Sequence, residues 1–161
     1  MNLNHKIVSL ASLRKKKIDA SKKIVLAGGC FDILHYGHVT FLQKARSAGD
    51  VLILLLESDE FIMREKKKQP VHTHQQRAEI IAALHYVDYV VLLPVLKNPT
   101  IDYENIVKEI RPSVIALTEG DSKKSKKKSF ANLVQAQLLI VPYLSSFSSS
   151  QLITYAPIFR D

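Results

Sequence analysis

Short runs of Val, Ile and Leu alternate along this chain with stretches of helical patterning, and no other feature limits its possible folds so tightly. Apolar runs without polar alternation suit strands buried on both faces, and strands separated by helices suit a parallel sheet. Strands are expected at residues 23–27, 51–57, 86–93, 113–118 and 138–142, with helices at 39–48, 59–65, 74–84, 101–110 and 130–137. Leu42, Ala45 and Ala48 share one face of the first helix, and Ile80, Ala83 and Leu84 do so on the third. Gly49 reads as a helix stop, and Pro112 breaks the chain after Ile110. Residues 1–21 form a leader weakly patterned as strand then helix. The expectation is a doubly wound, mainly parallel five-stranded α/β sheet with helices on both faces, forming a single domain whose core spans about 22–154.

A chain of 161 residues with 47% hydrophobic content suffices for one two-sided core. Its longest apolar runs fall far short of the roughly 18 residues a membrane-spanning helix needs. The sequence does not open on a signal-like apolar stretch, so a soluble, cytoplasmic protein away from membranes is expected. The one cysteine, Cys30, has no partner for a disulfide and is read as a packing residue. A formal net charge of +8 attracts polyanions, and the excess gathers in basic clusters at 14–17, 66–68 and 123–128, each beside an expected loop. Aromatics for stacking bases are missing from all three, so nucleic acid is not an expected partner.

The stretch Ala27-Gly-Gly-Cys-Phe-Asp-Ile-Leu-His-Tyr-Gly-His38 lies where the first of these strands gives way to a helix. Ligands of open α/β sheets bind beyond the carboxyl ends of the strands, where Gly28 and Gly29 let the backbone approach a phosphate closely. His35 and His38, three residues apart at a helix start, project from one face and can grip one group. When an oxygen attacks the α-phosphorus of a nucleoside triphosphate, negative charge builds on the phosphate oxygens and the departing pyrophosphate. Hydrogen-bond donors aimed there lower the barrier. Helix capping is the plain alternative for the two histidines. Zinc would need more ligands than they supply, so no protein metal site is expected.

These residues resemble the HxGH nucleotidyltransferases, in particular the cytidylyltransferase-like group, which includes glycerol-3-phosphate cytidylyltransferase and the heptose-1-phosphate adenylyltransferase domain. The likeness runs from about residue 6 to 153. It implies a Rossmann-like nucleotidyltransferase fold, Mg2+ as cofactor, and direct attack of a sugar or polyol phosphate on ATP or CTP, without a covalent enzyme intermediate. It further implies that Gly28, Gly29, Cys30, Phe31 and Gly37 line the triphosphate, that His35 and His38 bind phosphates and stabilise the transition state, and that Asp32 positions substrate or metal. Lys66 and Lys68 fall in the family's lysine-bearing loop and would neutralise phosphates, the alternative being a solvated loop. Arg77 would clamp a substrate anion or strut a helix against the sheet. Asp121, and Ser148, Ser149 and Ser150 in a turn like the family's last one, would contact the nucleotide. Family members pair as dimers, and a homodimer is expected here.

Glycerol-3-phosphate cytidylyltransferases carry arginines where this chain has His85 and, nearest in place, Tyr143, and a ring does not replace a bidentate guanidinium. ATP is therefore favoured over CTP. The heptose adenylyltransferase loop Lys-Gly-Gly-Asp is Thr118-Glu-Gly-Asp121 here, and Glu119 would repel an anionic sugar phosphate unless a metal or Lys123 offset it. The departures leave a second reading, a nucleotide-binding sensor without turnover.

Overall fold

The computed structural model describes residues 3, 5–16 and 18–144. Its elements are β1 (Ile7–Ser9), α1 (Leu10–Lys15), β2 (Ile24–Gly29), α2 (Tyr36–Arg46), β3 (Val51–Leu56), α3 (Asp59–Lys66), α4 (His74–Ala82), β4 (Tyr89–Leu92), α5 (Pro99–Ile110), β5 (Val114–Thr118), α6 (Lys124–Leu133) and β6 (Gln137–Val141). Among the described residues the strands form one six-stranded sheet, all parallel, in the order β1-β4-β3-β2-β5-β6. The chain winds outward from β2 through β3 to β4, then returns to lay β5 and β6 on the other side. The winding reverses between β2 and β5, and a crevice opens there beyond the strand ends.

The doubly wound α/β fold is present, with a sixth strand because the leader supplies β1 and α1. β3 explains why the apolar runs are strands. Leu52, Leu54 and Leu56 enter one core cluster with Leu42 and Ala45 of α2 and Ala78 and Ile81 of α4. Ile53 and Leu55 enter the other with Leu13 of α1, Ile106 and Val107 of α5, and Phe130 of α6. Successive strand side chains point to opposite faces, so a strand covered on both sides is apolar at every position. Each fully buried Leu or Ile contributes roughly 1.5–3 kcal/mol.

Several boundaries differ from expectation for local reasons. β4 starts at Tyr89 instead of Tyr86, because Asp88 closes the ladder with its side chain, accepting from Leu52 N at 2.8 Å. On α4 the buried positions are Arg77, Ala78, Ile81 and Ala82, whereas Ala83 is exposed, so the inner face is rotated from the expected one by a charged residue. The last helix begins in the lysine tract, and Gln137 already belongs to β6. Lysine favours helix but carries no apolar periodicity, so the pattern becomes visible only at the buried pair Phe130 and Ala131. Helix α2 stops at Arg46 before Gly49, where a Cβ would lie 2.5 Å from Lys23 O. Gly49 thus permits a close approach of the loop to β2. No helix among the described residues is long and apolar enough to cross a membrane.

Candidate active site

β2 delivers the chain to the crevice through Gly28 and Gly29, which pair in register with Leu55 and Leu56. A side chain at Gly29 would place its Cβ 2.8 Å from the Phe31 ring, so glycine is what lets that ring fold back. Phe31 does so in the left-handed region, at φ 46°, a conformation costly for an aromatic residue and held by burial at 6% exposure. Its ring lies 4.8 Å from that of His38.

His35 is the N-cap of α2 by backbone geometry, but its side chain makes no capping hydrogen bond. The capping alternative therefore does not account for it. Its ring instead stacks on His38 with centroids 3.7 Å apart and planes inclined by 24°. Nδ1 of each ring is buried without a hydrogen-bond partner among the described residues. Burial drives the His38 pKa down to about 4, helped by His35 and Lys66 and opposed by the backbone of Ile33. Burial lowers His35 as well. Both rings are neutral at pH 7, and each then carries one N–H to donate.

Helix α3 starts on a Ser58 cap and ends at Lys67, whose φ of 54° turns the chain and separates Lys66 from Lys68. Lys66 and Lys68 both line a cavity of about 520 Å³ with Gly28, Gly29, Gly37, His35 and His38. Lys68 Nζ stands 3.8 Å from Asp32 Oδ2, which has no hydrogen bond among the described residues. The other carboxylate oxygen of Asp32 accepts from Val71 N at 2.8 Å and His72 N at 3.2 Å, tying the segment before α4 to the glycine loop. Asp32 thus divides its carboxylate between architecture and the cavity.

Arg77 takes the strut's part and not the anion clamp's. It is 0% exposed, and its guanidinium donates to the carbonyls of Cys30, His72 and Glu57 and to Asp59 Oδ1. A substrate anion has no route to it; it holds the glycine loop and the ends of β3 and α4 in one frame. Cys30 is half-buried, lines the cavity, and has its thiol pKa raised by burial. Asp121 lies on the cavity after Gly120, accepting from Lys127 Nζ at 2.8 Å and Lys123 N at 2.7 Å. Burial would raise its pKa, but the lysine contacts outweigh that and keep it ionised. Tyr143 and Glu119 reach the same cavity, whereas His85 packs on Tyr86, 3.8 Å between centroids. Ser148, Ser149 and Ser150 lie outside the described residues.

A second cavity, about 650 Å³, adjoins the first and shares Gly28, Gly29, Cys30, Lys66, Asp121 and Lys127 with it. It holds two residues that sequence reasoning passed over, Glu57 and Tyr103, hydrogen-bonded to each other. The signal for Glu57 was an acid at the carboxyl end of an otherwise wholly apolar strand run. Tyr103, in a helical pattern, gave none.

The arrangement agrees with what the chain resembles. The cytidylyltransferase-like family matches residues 26–143. FAD synthase of Thermococcus kodakarensis is 39% identical over 128 residues, covering 76% of this chain and 83% of that protein. Bifunctional protein HldE of Campylobacter jejuni is 33% identical over 154 residues, 95% of this chain but 32% of HldE. Among solved structures, the lipopolysaccharide core biosynthesis protein of Thermoplasma volcanium superposes with a TM-score of 0.61 at 26% identity, covering 77% of this chain and 98% of that one. A match of this extent, on a chain that carries the paired histidines beside a glycine-lined crevice, makes it a member of the cytidylyltransferase-like family of nucleotidyltransferases.

Proposed function

We propose that this enzyme transfers AMP from ATP, in preference to CTP, to the phosphate of a small phosphorylated acceptor and releases pyrophosphate. The observation that carries the reading is the stacked, neutral His35–His38 pair at the start of α2, lining the same cavity as Gly28, Gly29, Lys66 and Lys68. The preference for ATP is supported by similarity to a protein named FAD synthase and by His85 and Tyr143 in place of guanidiniums.

In this reading an acceptor phosphate oxygen attacks the α-phosphorus, a new P–O bond forms, and the bond to the β-phosphate oxygen breaks. Pyrophosphate leaves with the bonding electrons. The imidazole N–H groups donate to the phosphate oxygens, and each hydrogen bond strengthens as its acceptor grows more negative on the way to the transition state. Burial that costs a charged imidazole in the empty site is thereby offset by phosphate. Lys66 and Lys68 neutralise the leaving group.

No group of three or more ligating side chains occurs among the described residues, which suits magnesium carried by the triphosphate more than one caged by protein. Asp32, whose Oδ2 accepts no hydrogen bond among the described residues and faces Lys68 at 3.8 Å, is the residue that would hold it, and when bound the ion would supply charge neutralisation on the phosphate oxygens. Incubation with magnesium, ATP or CTP, and a panel of phosphate monoesters tests the proposal. Acceptor-dependent pyrophosphate release, faster with ATP, supports it; tight ATP binding without release from any acceptor supports the sensor reading instead.

A further inference from the structure

The second cavity has the wrong lining for a polyol. Its walls include Leu55, Val107, Ile115 and Phe130, and its two neutral aliphatic hydroxyls, Thr100 and Ser122, belong to exposed residues. Each hydroxyl buried there without a partner would cost roughly 1–3 kcal/mol. At about 650 Å³ the space suits a ring-sized body. Its mouth is basic: Lys66, Lys123, Lys126 and Lys127 line it, and Lys123 Nζ sits 4.4 Å over the Phe61 ring. The other acids on the lining are already engaged, Asp121 with Lys127 at 2.8 Å and Glu65 with Lys123 at 4.0 Å.

Glu57 is different. It is 7% exposed within this apolar space, and its Oε1 accepts the Tyr103 hydroxyl. Tyr103 is itself set parallel to Phe130, with centroids 6.1 Å apart and an 18° tilt. The Glu57 carbonyl is fixed by Arg77 Nη2 at 2.8 Å, so the residue is held at its backbone and at one carboxylate oxygen. Burial raises the pKa of this carboxyl, while Tyr103 and the lysines at the mouth work against that rise. A preorganised carboxylate in an apolar pocket is costly to keep unless something uses it.

We propose that the second cavity holds the body of the acceptor and that Glu57, oriented by Tyr103, accepts a hydrogen bond from an N–H or O–H on it, selecting phosphate esters with a largely apolar, ring-sized body over polyol phosphates. The assignment rests on the transfer reaction proposed above. The acceptor's phosphate then lies at Lys66 and Lys127, which line both cavities, with its oxygen directed to the triphosphate side.

Riboflavin 5′-phosphate, a fused ring bearing one N–H donor and joined to its phosphate by a ribityl chain short enough to lie along the lysine-lined mouth, is a suitable probe, with glycerol 3-phosphate and glucose 1-phosphate, which have no such ring, as comparators. Its fluorescence reports binding, and pyrophosphate release from ATP reports transfer. The wild-type protein binds the flavin phosphate more tightly than either comparator, and Glu57→Gln raises its Kd and its KM as acceptor about tenfold, with the KM for ATP held within about twofold. Tyr103→Phe shifts the same parameters in the same direction by less. Equal or tighter binding of the comparators, or unchanged flavin phosphate binding in Glu57→Gln, overturns the assignment. Binding that depends on Glu57 without pyrophosphate release upholds the pocket and sinks the transfer reaction; release with the comparators alone does the reverse.

Discussion

The two cavities share the end of β2 and are built on opposite principles. The first brings glycines, two imidazoles and lysines together on a partly apolar floor that includes Phe31 and Ile62, a surface able to respond to charge arriving and moving. The second is walled mainly by aliphatic and aromatic side chains around the buried carboxylate of Glu57, with lysines at its mouth, a surface able to respond to shape and to a donor. Under the proposed reaction the contrast separates chemistry from selection: the side proposed to handle phosphate can stay constant while the other is proposed to decide which phosphate ester enters. Arg77 braces the wall between them, holding the carbonyls of Cys30, which lines both, and of Glu57, which lines the second.

Replacing that joint gives the largest effect. Arg77→Met leaves three carbonyls and Asp59 without their donor, and stability falls by about 3–5 kcal/mol, as when one partner of a buried ionic network is removed. Thermal unfolding checks this, and a melting temperature within a degree of wild type would show that the two cavities are independently supported. His38→Ala comes next and strikes one cavity alone. Turnover drops by about 10²–10³, the range for losing a transition-state donor, while the KM for the acceptor stays near wild type. Loss of acceptor binding in that variant would blur the division between the two sides. Lys66→Ala and Lys68→Ala act more weakly. Lys68→Ala raises the KM for ATP by severalfold, about 1 kcal/mol, in a salt-dependent way, and Lys66→Ala affects ATP and acceptor together because it lines both cavities. Steady-state kinetics at two ionic strengths separates them.

A further effect is on stability against pH, and it is spread over several pH units. The His38 pKa, about 4 in the folded protein against an ordinary 6.5, means that between these values the unfolded chain binds more protons. Stability is therefore full above pH 6.5 and is lost as pH falls through about 4, and the slope for this one group is at most about 1.4 kcal/mol per pH unit. His35, lowered by burial, acts in the same sense, whereas Glu57, raised by burial, acts in the opposite one. Urea unfolding across this range should show a shallower pH slope in His38→Ala than in wild type.

The phosphate side was largely legible in the sequence, because its parts are local: Gly28 to His38 lie in one stretch and the lysines follow one helix later. The fold was legible for a similar reason, since each buried strand announces itself as an unbroken apolar run. The second cavity was not. Glu57 and Tyr103 are 46 residues apart and meet only because α5 packs over β3. Arg77 was left between two roles because its spacing fits either, and burial, a property of the folded chain, decides it. The start of α6 was hidden by the same lysines that suggested a loop, since charge along a helix is compatible with both states until its last turn meets the core.

The claim that the paired imidazoles confront a triphosphate is tested most directly by nuclear magnetic resonance titration of the histidine rings with ATP and magnesium, in the absence of acceptor. Of the six histidines, His35 and His38 should shift together on saturation, and the His38 pKa should climb from about 4 as phosphate charge replaces the empty apolar surroundings. Saturable ATP binding that leaves both rings unmoved, or that perturbs Tyr103 while sparing them, would contradict the account.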